Sequence, residues 1–331
     1  MEDEHPLSSQ HPLSSQHPLS SQHPLSSQHP LCILGPTASG KSSLAMAIAE
    51  RVEHVELVSI DSMQVYQGMD IGTAKPTAAE QAAVRHHLID IADPADDFAV
   101  STFQMAWRAV RTDIASRGAI PLLVGGTGLY LRSVIDSLEL PGVYPEAAAA
   151  LEAEGLQARE LFARLETLDP IAASRIDPLN ERRLLRALEV TIGSGRPFSS
   201  FGPGMTTYPD VPFQLLGLRM DRDLLNERID SRYGIQMEQG FLAEVEGLAA
   251  RERPLGRTAR QALGYRELLS HIEDGVSLDL ALEQAKFRTH RFSRRQLKWF
   301  RRDPRISWFD IDGDRPPTAL VDQALEMMGQ T

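Results

Sequence analysis

The hydrophobic pattern of the chain changes at about residue 140. Before that point, short continuous runs of apolar and β-branched residues recur: Leu31–Leu34, Val55–Ile60, Leu88–Ile91 and Ile120–Val124. Continuous runs of this length are typical of strands that are buried on both faces of a parallel sheet. A helical stretch, 103–117, lies between the last two runs. The pattern therefore predicts an α/β fold in which helices flank a parallel sheet.

Residues 141–208 follow a different pattern. The stretches Ala158–Leu168 and Arg182–Ile192 carry apolar residues at helical spacing, and glycine and proline separate them. We interpret 141–208 as a small all-helical insertion domain. The core is then formed by 31–140 and 209–331, and its second part is mostly helical after an apolar run at Phe213–Leu218. The remaining predicted elements are helices at Arg222–Tyr233, Met237–Arg251, Tyr265–Glu273 and Asp279–Arg302, a strand at Ile306–Ile311, and a closing helix from Pro316.

The first thirty residues form a repeat. The sequence HPLSSQ occurs four times from His5 to Gln28, and a fifth copy begins at His29. A proline every six residues excludes a helix, and one leucine per repeat cannot build the packed core of a solenoid. We predict a disordered tail over 1–30.

The composition excludes several classes of protein. With 42% hydrophobic and 24% charged residues, the chain of 331 residues has an ordinary globular composition and a net charge of −11. Cys32 is the single cysteine, which excludes an internal disulfide and a cysteine-based zinc site. No apolar run approaches the roughly 18 residues of a membrane span, and no signal-peptide pattern is present. These features predict a cytoplasmic protein with no membrane contact.

Positive charge is concentrated near the C-terminus. Segment 286–305 holds nine basic residues and one acidic residue, so its charge is 9 − 1 = +8. A local basic patch on an acidic chain indicates a docking surface for a polyanion, although a solvated helix face would look the same.

Residues 35–42 complete the phosphate-binding pattern G-x-x-x-x-G-K-[ST] between an apolar run and a helix-like run. Its members are Gly35, Pro36, Thr37, Ala38, Ser39, Gly40, Lys41 and Ser42. Glycines allow backbone N–H groups to converge on a phosphate, Lys41 adds a positive charge, and the Ser42 hydroxyl can ligate Mg²⁺. Most chains with this loop bind ATP or GTP, so the loop alone does not identify the ligand.

Two further polar groups follow predicted strands. Asp61 comes directly after Val55–Ile60, and Thr127 lies in the glycine-rich stretch 125–128 after Ile120–Val124. Carboxyl ends of parallel strands share one edge of a sheet, so both side chains are expected beside the phosphate loop. A carboxylate there can hold Mg²⁺ or act as a general base, and a threonine can donate to an oxyanion. Taken singly, an aspartate that caps a turn and a threonine that caps a helix are the simpler explanations.

Two basic stretches near the C-terminus include polar amide and aromatic residues. They are Arg260–Arg266 and Arg294–Arg301. Arginine and lysine neutralise phosphates and aromatic rings stack on unpaired bases, which suggests RNA. Alternatively, Leu297, Trp299 and Phe300 form the buried face of a helix.

Together these stretches closely resemble the tRNA dimethylallyltransferases (tRNA isopentenyltransferases). The resemblance runs from about Leu31 to Phe309. Its segments are ILGPTASGKS, IDSMQVYQGMDIGTAKP, HHLIDIADP, LLVGGTGLYLRSV, RRLLRALEV, QALGYREL and RRQLKWFRRDPR. The chain departs from the family pattern at Gln67, Ala148, Ser194 and His290.

The resemblance implies a P-loop NTPase-like fold and an activity. Such enzymes transfer a dimethylallyl group from dimethylallyl diphosphate to N6 of adenosine-37 in tRNA, with Mg²⁺ as the cofactor. The phosphate loop would then hold a diphosphate leaving group, with Mg²⁺ at Ser42 and with Arg228 and Arg232 as further ligands. Lys41 and Thr127 would stabilise the leaving group, and Asp61 would take the N6 proton.

The resemblance also implies a tRNA surface and a monomeric enzyme, with the helical insertion against the anticodon arm. The residues that would face tRNA are Asp61, Ser62, Met63, Gln64, Thr127, Arg182, Arg183, Arg186, Arg260, Gly264, Tyr265, Arg266, Arg294, Arg295, Gln296, Trp299 and Arg301.

Three other classes remain open from the sequence. A small-molecule kinase would use the same phosphate loop, but no arginine-bearing lid is evident. An enzyme that prenylates free adenine nucleotides would share the first half of the pattern. A non-catalytic RNA-binding protein would not need Lys41, Asp61 and Thr127.

Overall fold

The structure, a computed structural model, describes residues 29–202, 204–205 and 207–330. The predicted tail therefore lies outside the described residues, apart from its last two. Six strands form one parallel sheet with the order β3-β2-β4-β1-β5-β6. The strands are β1 (Leu31–Leu34), β2 (Val55–Ile60), β3 (His86–His87), β4 (Ile120–Gly125), β5 (Gln214–Met220) and β6 (Ile306–Ile311).

Fourteen α-helices lie in the described ranges, and those of the core cover the sheet. They are α1 (Lys41–Ala49), α2 (Ala78–Ala83), α3 (Val100–Ser116), α4 (Gly128–Ile135), α5 (Pro145–Glu154), α6 (Ala158–Leu168), α7 (Pro170–Ala173), α8 (Glu181–Ser194), α9 (Arg222–Glu238), α10 (Phe241–Ala249), α11 (Arg257–Arg260), α12 (Tyr265–Asp274), α13 (Leu278–Phe300) and α14 (Val321–Met328). Two 3₁₀ turns, Phe198–Ser200 and Pro317–Leu320, complete the elements. None of these helices has the length and apolar character that a membrane span requires.

The continuous apolar runs are explained by burial on both faces. Every residue of β1 and of β2 is buried. β1 lies at the centre, where Leu31 pairs with Leu122 of β4 on one side and with Gln214 of β5 on the other. Because all the strands are parallel, their carboxyl ends lie along one edge of the sheet. The predicted α/β fold with a parallel sheet is confirmed.

One strand was placed wrongly. The run Leu88–Ile91 was expected to be a strand, but the strand is His86–His87 and pairs with Leu57 and Val58 of β2. Leu88 and Asp90 have φ angles of 61° and 55°, which end the extended conformation. The apolar run is a turn that packs Leu88 into the core. A prediction based on hydrophobicity alone therefore placed the strand two residues too late.

The insertion has a hydrophobic core of its own. Helices α5–α8 bury a cluster that includes Leu151, Leu161, Leu165 and Leu188, separate from the cluster around the sheet. Asp169 holds the segment after α8 against α7. The Asp169 carboxylate accepts from the backbone N–H of Ser199 at 2.7 Å and from that of Ala172 at 3.0 Å. A separate apolar core is consistent with the prediction that 141–208 is a small helical domain.

Candidate active site

The phosphate loop joins β1 to α1 at the carboxyl edge of the sheet. Gly40 precedes α1 with a φ of 86°, a left-handed conformation that favours glycine. A Cβ on Gly40 would lie 2.3 Å from Cγ of Pro317, so the close packing also requires glycine. Gly40 has no side chain to cap α1, and the first-turn N–H groups of that helix form an anion site together with the helix dipole.

Lys41 is a half-buried cation at the end of this loop. Its Nζ donates to the carbonyl oxygen of Pro36 at 2.7 Å. Burial lowers the pKa of Lys41 to about 8, Asp61 opposes that shift, and Arg232 adds to it. An anion beside Lys41 would favour the charged form, so the loop is poised to bind one.

Arg232 of α9 reaches the same loop from the second half of the chain. Its Nη1 donates to Oγ1 of Thr37 at 2.8 Å, and its Nε is buried without a partner among the described residues. Burial lowers the pKa of Arg232, but a guanidinium retains its charge at neutral pH. A buried guanidinium with an unused donor indicates an anionic ligand at this position.

Asp61 and Thr127 meet beyond the ends of β2 and β4. The Asp61 carboxylate accepts from the backbone N–H of Met63 at 2.8 Å and of Gln64 at 3.3 Å. Thr127 Oγ1 accepts from the backbone N–H of Ser62 at 3.3 Å. Gly125 allows the two loops to approach, since a Cβ there would lie 2.1 Å from the carbonyl oxygen of Ile60. The structure thus brings both predicted side chains to the phosphate-loop edge.

Gln296 of α13 joins two of these loops. Its Oε1 accepts from the backbone N–H of Thr37 at 2.9 Å, and its Nε2 donates to the carbonyl oxygen of Gly126 at 3.0 Å. The side chain is buried, so the predicted tRNA contact of Gln296 is wrong. Its amide instead holds the phosphate loop against the loop after β4.

We expect Gln296→Leu to raise the donor KM by about 30-fold or more, because a buried N–H and a buried C=O each lose a partner at a cost of about 1–3 kcal/mol. Steady-state assays with donor and acceptor varied separately check this. Gln284→Leu, on an exposed turn of the same helix, is the matched control. A rise in the tRNA KM alone would contradict the assignment.

Two cavities meet at this edge of the sheet. The first, which we call the loop cavity, has a volume of about 370 Å³ and includes Lys41, Ser42 and Arg228. The second, the basic cavity, has a volume of about 470 Å³ and includes Ser62, Met63 and Thr127. The residues that line both are Thr37, Asp61, Thr73, Arg232 and Phe292. Asp61 therefore lies where the contents of the two cavities would touch.

Besides Arg232, four arginines line the basic cavity. They are Arg266, Arg288, Arg291 and Arg295. Arg266 and Arg295 were predicted from the sequence as tRNA contacts, whereas Arg288 and Arg291 were missed. The signal was available, since both belong to the basic segment 286–305 and follow the helical spacing 288, 291 and 295. The cavity wall favours a polyanion that presents one group to Asp61.

Several predicted tRNA residues have structural roles instead. Tyr265 is fully buried, packs edge-on against Phe241 and donates to Glu244 Oε1 at 2.5 Å, so its ring cannot stack on a base. Gly264 is a buried helix cap, and a Cβ there would lie 2.8 Å from the Phe241 ring. Arg260 pairs with Glu273.

Arg186 and Trp299 also have partners within the protein. Arg186 donates to Glu189 at 2.5 Å and to the carbonyl oxygen of Gly142 at 2.9 Å, which ties α8 to the segment before α5. Trp299 is half-buried, and its indole lies against Gly128 at the start of α4. Both side chains stabilise the fold at these positions.

Gln64 also has partners within the protein, since its Oε1 accepts from Ser59 Oγ at 2.7 Å and its Nε2 donates to the carbonyl oxygens of Thr73 and Ala74 at 3.2 and 3.1 Å. Gln64 and Met63 line the loop cavity and the basic cavity respectively. The remaining arginines are exposed, namely Arg182, Arg183, Arg266, Arg294, Arg295 and Arg301. Arg182 and Arg183 lie on α8 of the insertion, and the last three lie on α13 or at its end.

The sequence did not predict the hydrogen bonds that hold the segment after Asp61 in place. The Glu244 carboxylate of α10 accepts from the backbone N–H groups of Asp70, Ile71 and Gly72 at 2.7 to 3.3 Å. Lys75 is almost fully buried and pairs with Asp90 at 2.5 Å. These contacts fix the segment that carries Thr73, a residue shared by the two cavities. No local sequence signal links Glu244 to residues more than 170 positions away.

Few side chains at the site could ligate a metal ion. Within the described ranges, no group of three or more His, Cys, Asp or Glu side chains could hold a metal ion. Ser42 and Asp61 both line the loop cavity and offer oxygen ligands. Mg²⁺ is usually bound by one or two protein oxygens together with water and substrate phosphates, so this sparse set fits that ion.

Comparisons with known proteins agree with the geometry. The family model for IPP transferase matches residues 64–303, and the model for isopentenyl transferase matches residues 30–96. A tRNA dimethylallyltransferase of Kineococcus radiotolerans is 43% identical over 303 residues, covering 89% of this chain and 95% of the relative. One of Bifidobacterium longum is 45% identical over 305 residues, covering 89% of each chain.

Solved structures give the same result. The full-length tRNA isopentenylpyrophosphate transferase of Bacillus halodurans is 36% identical, with a TM-score of 0.65 over 91% of this chain and 97% of that chain. A eukaryotic dimethylallyltransferase acting on tRNA is 26% identical, with a TM-score of 0.76 over 90% of this chain and 78% of that one.

Proposed function

The chain belongs to the tRNA dimethylallyltransferase family, and on that premise we propose that it transfers a dimethylallyl group from dimethylallyl diphosphate to N6 of adenosine-37 in tRNA. The family establishes tRNA prenylation as the activity. One observation indicates which cavity holds which substrate. The loop cavity and the basic cavity open onto the same side chain, Asp61. A small anionic donor fits the first, and one nucleotide extruded from an RNA loop fits the second.

The donor's diphosphate lies in the loop cavity. Lys41, Arg232 and the first-turn N–H groups of α1 neutralise its charge, which rises as the bond from C1 to the bridging oxygen breaks. Arg228 lines the same cavity and adds positive charge. The allylic C1 then faces Asp61, which lines both cavities, since Lys41 and the first-turn N–H groups of α1 hold the diphosphate in the loop cavity.

The acceptor adenine enters through the basic cavity. An adenine inside a stem-loop must leave its stack to reach the sheet edge, and arginines 266, 291 and 295 hold the phosphates around it, while Arg288 pairs with the buried Glu267. N6 attacks C1 as diphosphate departs, and the Asp61 carboxylate accepts the N6 proton. Thr127, beside Asp61 on the next loop, donates to the departing oxygen.

We propose Mg²⁺ as the cofactor, held by Ser42 and by the diphosphate itself. Its contribution is to neutralise charge on the leaving group. The protein's own cations share that task, which explains why one hydroxyl suffices on the protein side.

Labelled dimethylallyl diphosphate tests the proposal. We expect label on adenosine-37 of an anticodon stem-loop and none on AMP or ATP offered in parallel. Label on AMP or ATP would assign the chain to nucleotide prenylation. Phosphate transfer from ATP without prenylation would overturn the proposal in favour of a kinase.

The Lys41 pKa predicts a pH dependence. Burial lowers that pKa to about 8, so below pH 8 the free enzyme carries the ammonium that binds diphosphate, and above it the charge is lost. We therefore expect the donor KM to be lowest below pH 8 and to rise by up to about tenfold per pH unit above it. Lys41→Arg should remove this inflection because a guanidinium stays charged. A wild-type donor KM that is flat from pH 7 to 9.5 would contradict it.

A further inference from the structure

A buried cluster of charges lies where the insertion leaves and re-enters the core. It consists of Arg132 of α4 and Asp136 directly after it, together with Asp303 and Arg305 of the turn before β6. Their side chains are 3%, 1%, 6% and 14% exposed, respectively. Two guanidinium groups face two carboxylates, so the cluster is neutral. We call these four residues the linker cluster.

The linker cluster is closely connected. Arg132 pairs with Asp136 one turn later. Arg305 Nη1 donates to Asp136 at 2.7 Å, while its Nε and Nη2 donate to the two oxygens of Asp303 at 2.9 and 2.6 Å. Because each charge has a buried partner of opposite sign, replacing one residue leaves another uncompensated. The cluster therefore joins α4 firmly to the turn that follows α13.

The same arginines hold the chain that returns from the insertion. Arg132 donates to the carbonyl oxygens of Met205 at 3.2 Å and of Thr207 at 2.5 Å. Arg305 donates to that of Pro209 at 2.7 Å. The Tyr208 ring lies under both guanidinium groups, at 4.4 Å from that of Arg132 and 5.5 Å from that of Arg305.

The outgoing chain is held beside the cluster. Asp136 caps the C-terminus of α4, a few residues before the insertion. Gln104 of α3 donates to the carbonyl oxygens of Ser133 at 2.7 Å and of Leu138 at 2.9 Å. Both connections to the insertion are therefore fixed within a few residues of the linker cluster.

The cluster also touches the two elements that carry the active site. α4 begins directly after Thr127, and α13 carries Phe292 and Gln296 before it ends at Phe300. A rigid joint at this place would set the direction in which the insertion projects relative to the basic cavity. Single surface ion pairs would not do so, because solvent weakens them.

We propose that the linker cluster and Tyr208 are positioning residues for tRNA, which hold the insertion in the orientation that lets its exposed Arg182 and Arg183 and the basic cavity bind one RNA together. This rests on the function proposed above. The donor's ligands Lys41 and Arg232 bond to the phosphate loop rather than to the linker cluster, so weakening the joint changes tRNA binding and leaves donor binding intact.

Tyr208→Leu and Arg305→Lys test the proposal. Leucine removes the ring between the guanidinium groups, and lysine cannot make the four contacts of Arg305. We expect the tRNA KM to rise by about 3- to 30-fold with the donor KM unchanged. Tyr208→Phe, which keeps the ring, should restore the wild-type value.

A distance measurement separates orientation from mere stability. Because Cys32 is buried, spin labels at Glu53→Cys in the core and Glu166→Cys in the insertion report one distance. We expect a wider distance distribution in Tyr208→Leu than in Tyr208→Phe. An unchanged distribution, an unchanged tRNA KM despite a lower Tm, or an equal rise of both KM values would each overturn the proposal. Failure of the wild-type enzyme to prenylate any RNA would instead reject the proposed function.

Discussion

Asp61→Asn is expected to lower kcat by about 10²- to 10⁴-fold, the range that a positioned general base contributes. Asparagine retains the oxygen that accepts from the backbone N–H groups of Met63 and Gln64, so the loop geometry is kept while the proton acceptor is lost. Single-turnover transfer to an anticodon stem-loop, with donor and RNA both saturating, measures the effect.

Asp221→Asn is a well-matched control. Asp221 also accepts from the backbone N–H groups two and three residues later, but it caps α9 away from both cavities. Asparagine caps a helix as well as aspartate does, so its rate should equal that of the wild type. RNA affinity should be nearly unchanged in both variants. An Asp61→Asn rate within threefold of the wild-type rate would refute the general-base role.

Lys41→Met is expected to have the second largest effect, a fall of about 10²- to 10³-fold in kcat with a raised donor KM. Methionine fills a similar volume but supplies no charge to the departing diphosphate. Because the leaving group carries more charge in the transition state than in the bound donor, kcat should fall as well as donor affinity.

Lys298→Met removes the same charge from an exposed position on α13. It should raise the tRNA KM modestly and leave the donor KM unchanged, the opposite of the pattern for Lys41→Met. If both variants changed only the tRNA KM, the phosphate loop would not hold the donor's diphosphate.

The sequence by itself determined the features that rest on short-range patterns. Strands need short runs rich in apolar and β-branched residues, so β1, β2 and β6 were predicted to the residue. The phosphate loop was identifiable because its glycines and Lys41 must be adjacent in the chain. The positions of Asp61 and Thr127 followed from one further rule, that carboxyl ends of parallel strands share an edge.

Only the tertiary structure decided what each basic or aromatic residue contacts. Gln296 reads as part of an RNA-binding helix, yet its helical position turns it inward to Thr37 and Gly126. Tyr265 stands in a basic motif but is buried against Phe241. A helix has an inner and an outer face, and composition does not say which residue lies on which face. The linker cluster joins residues 132, 136, 303 and 305, a pairing that depends on packing between distant segments and therefore leaves no local signal in the sequence.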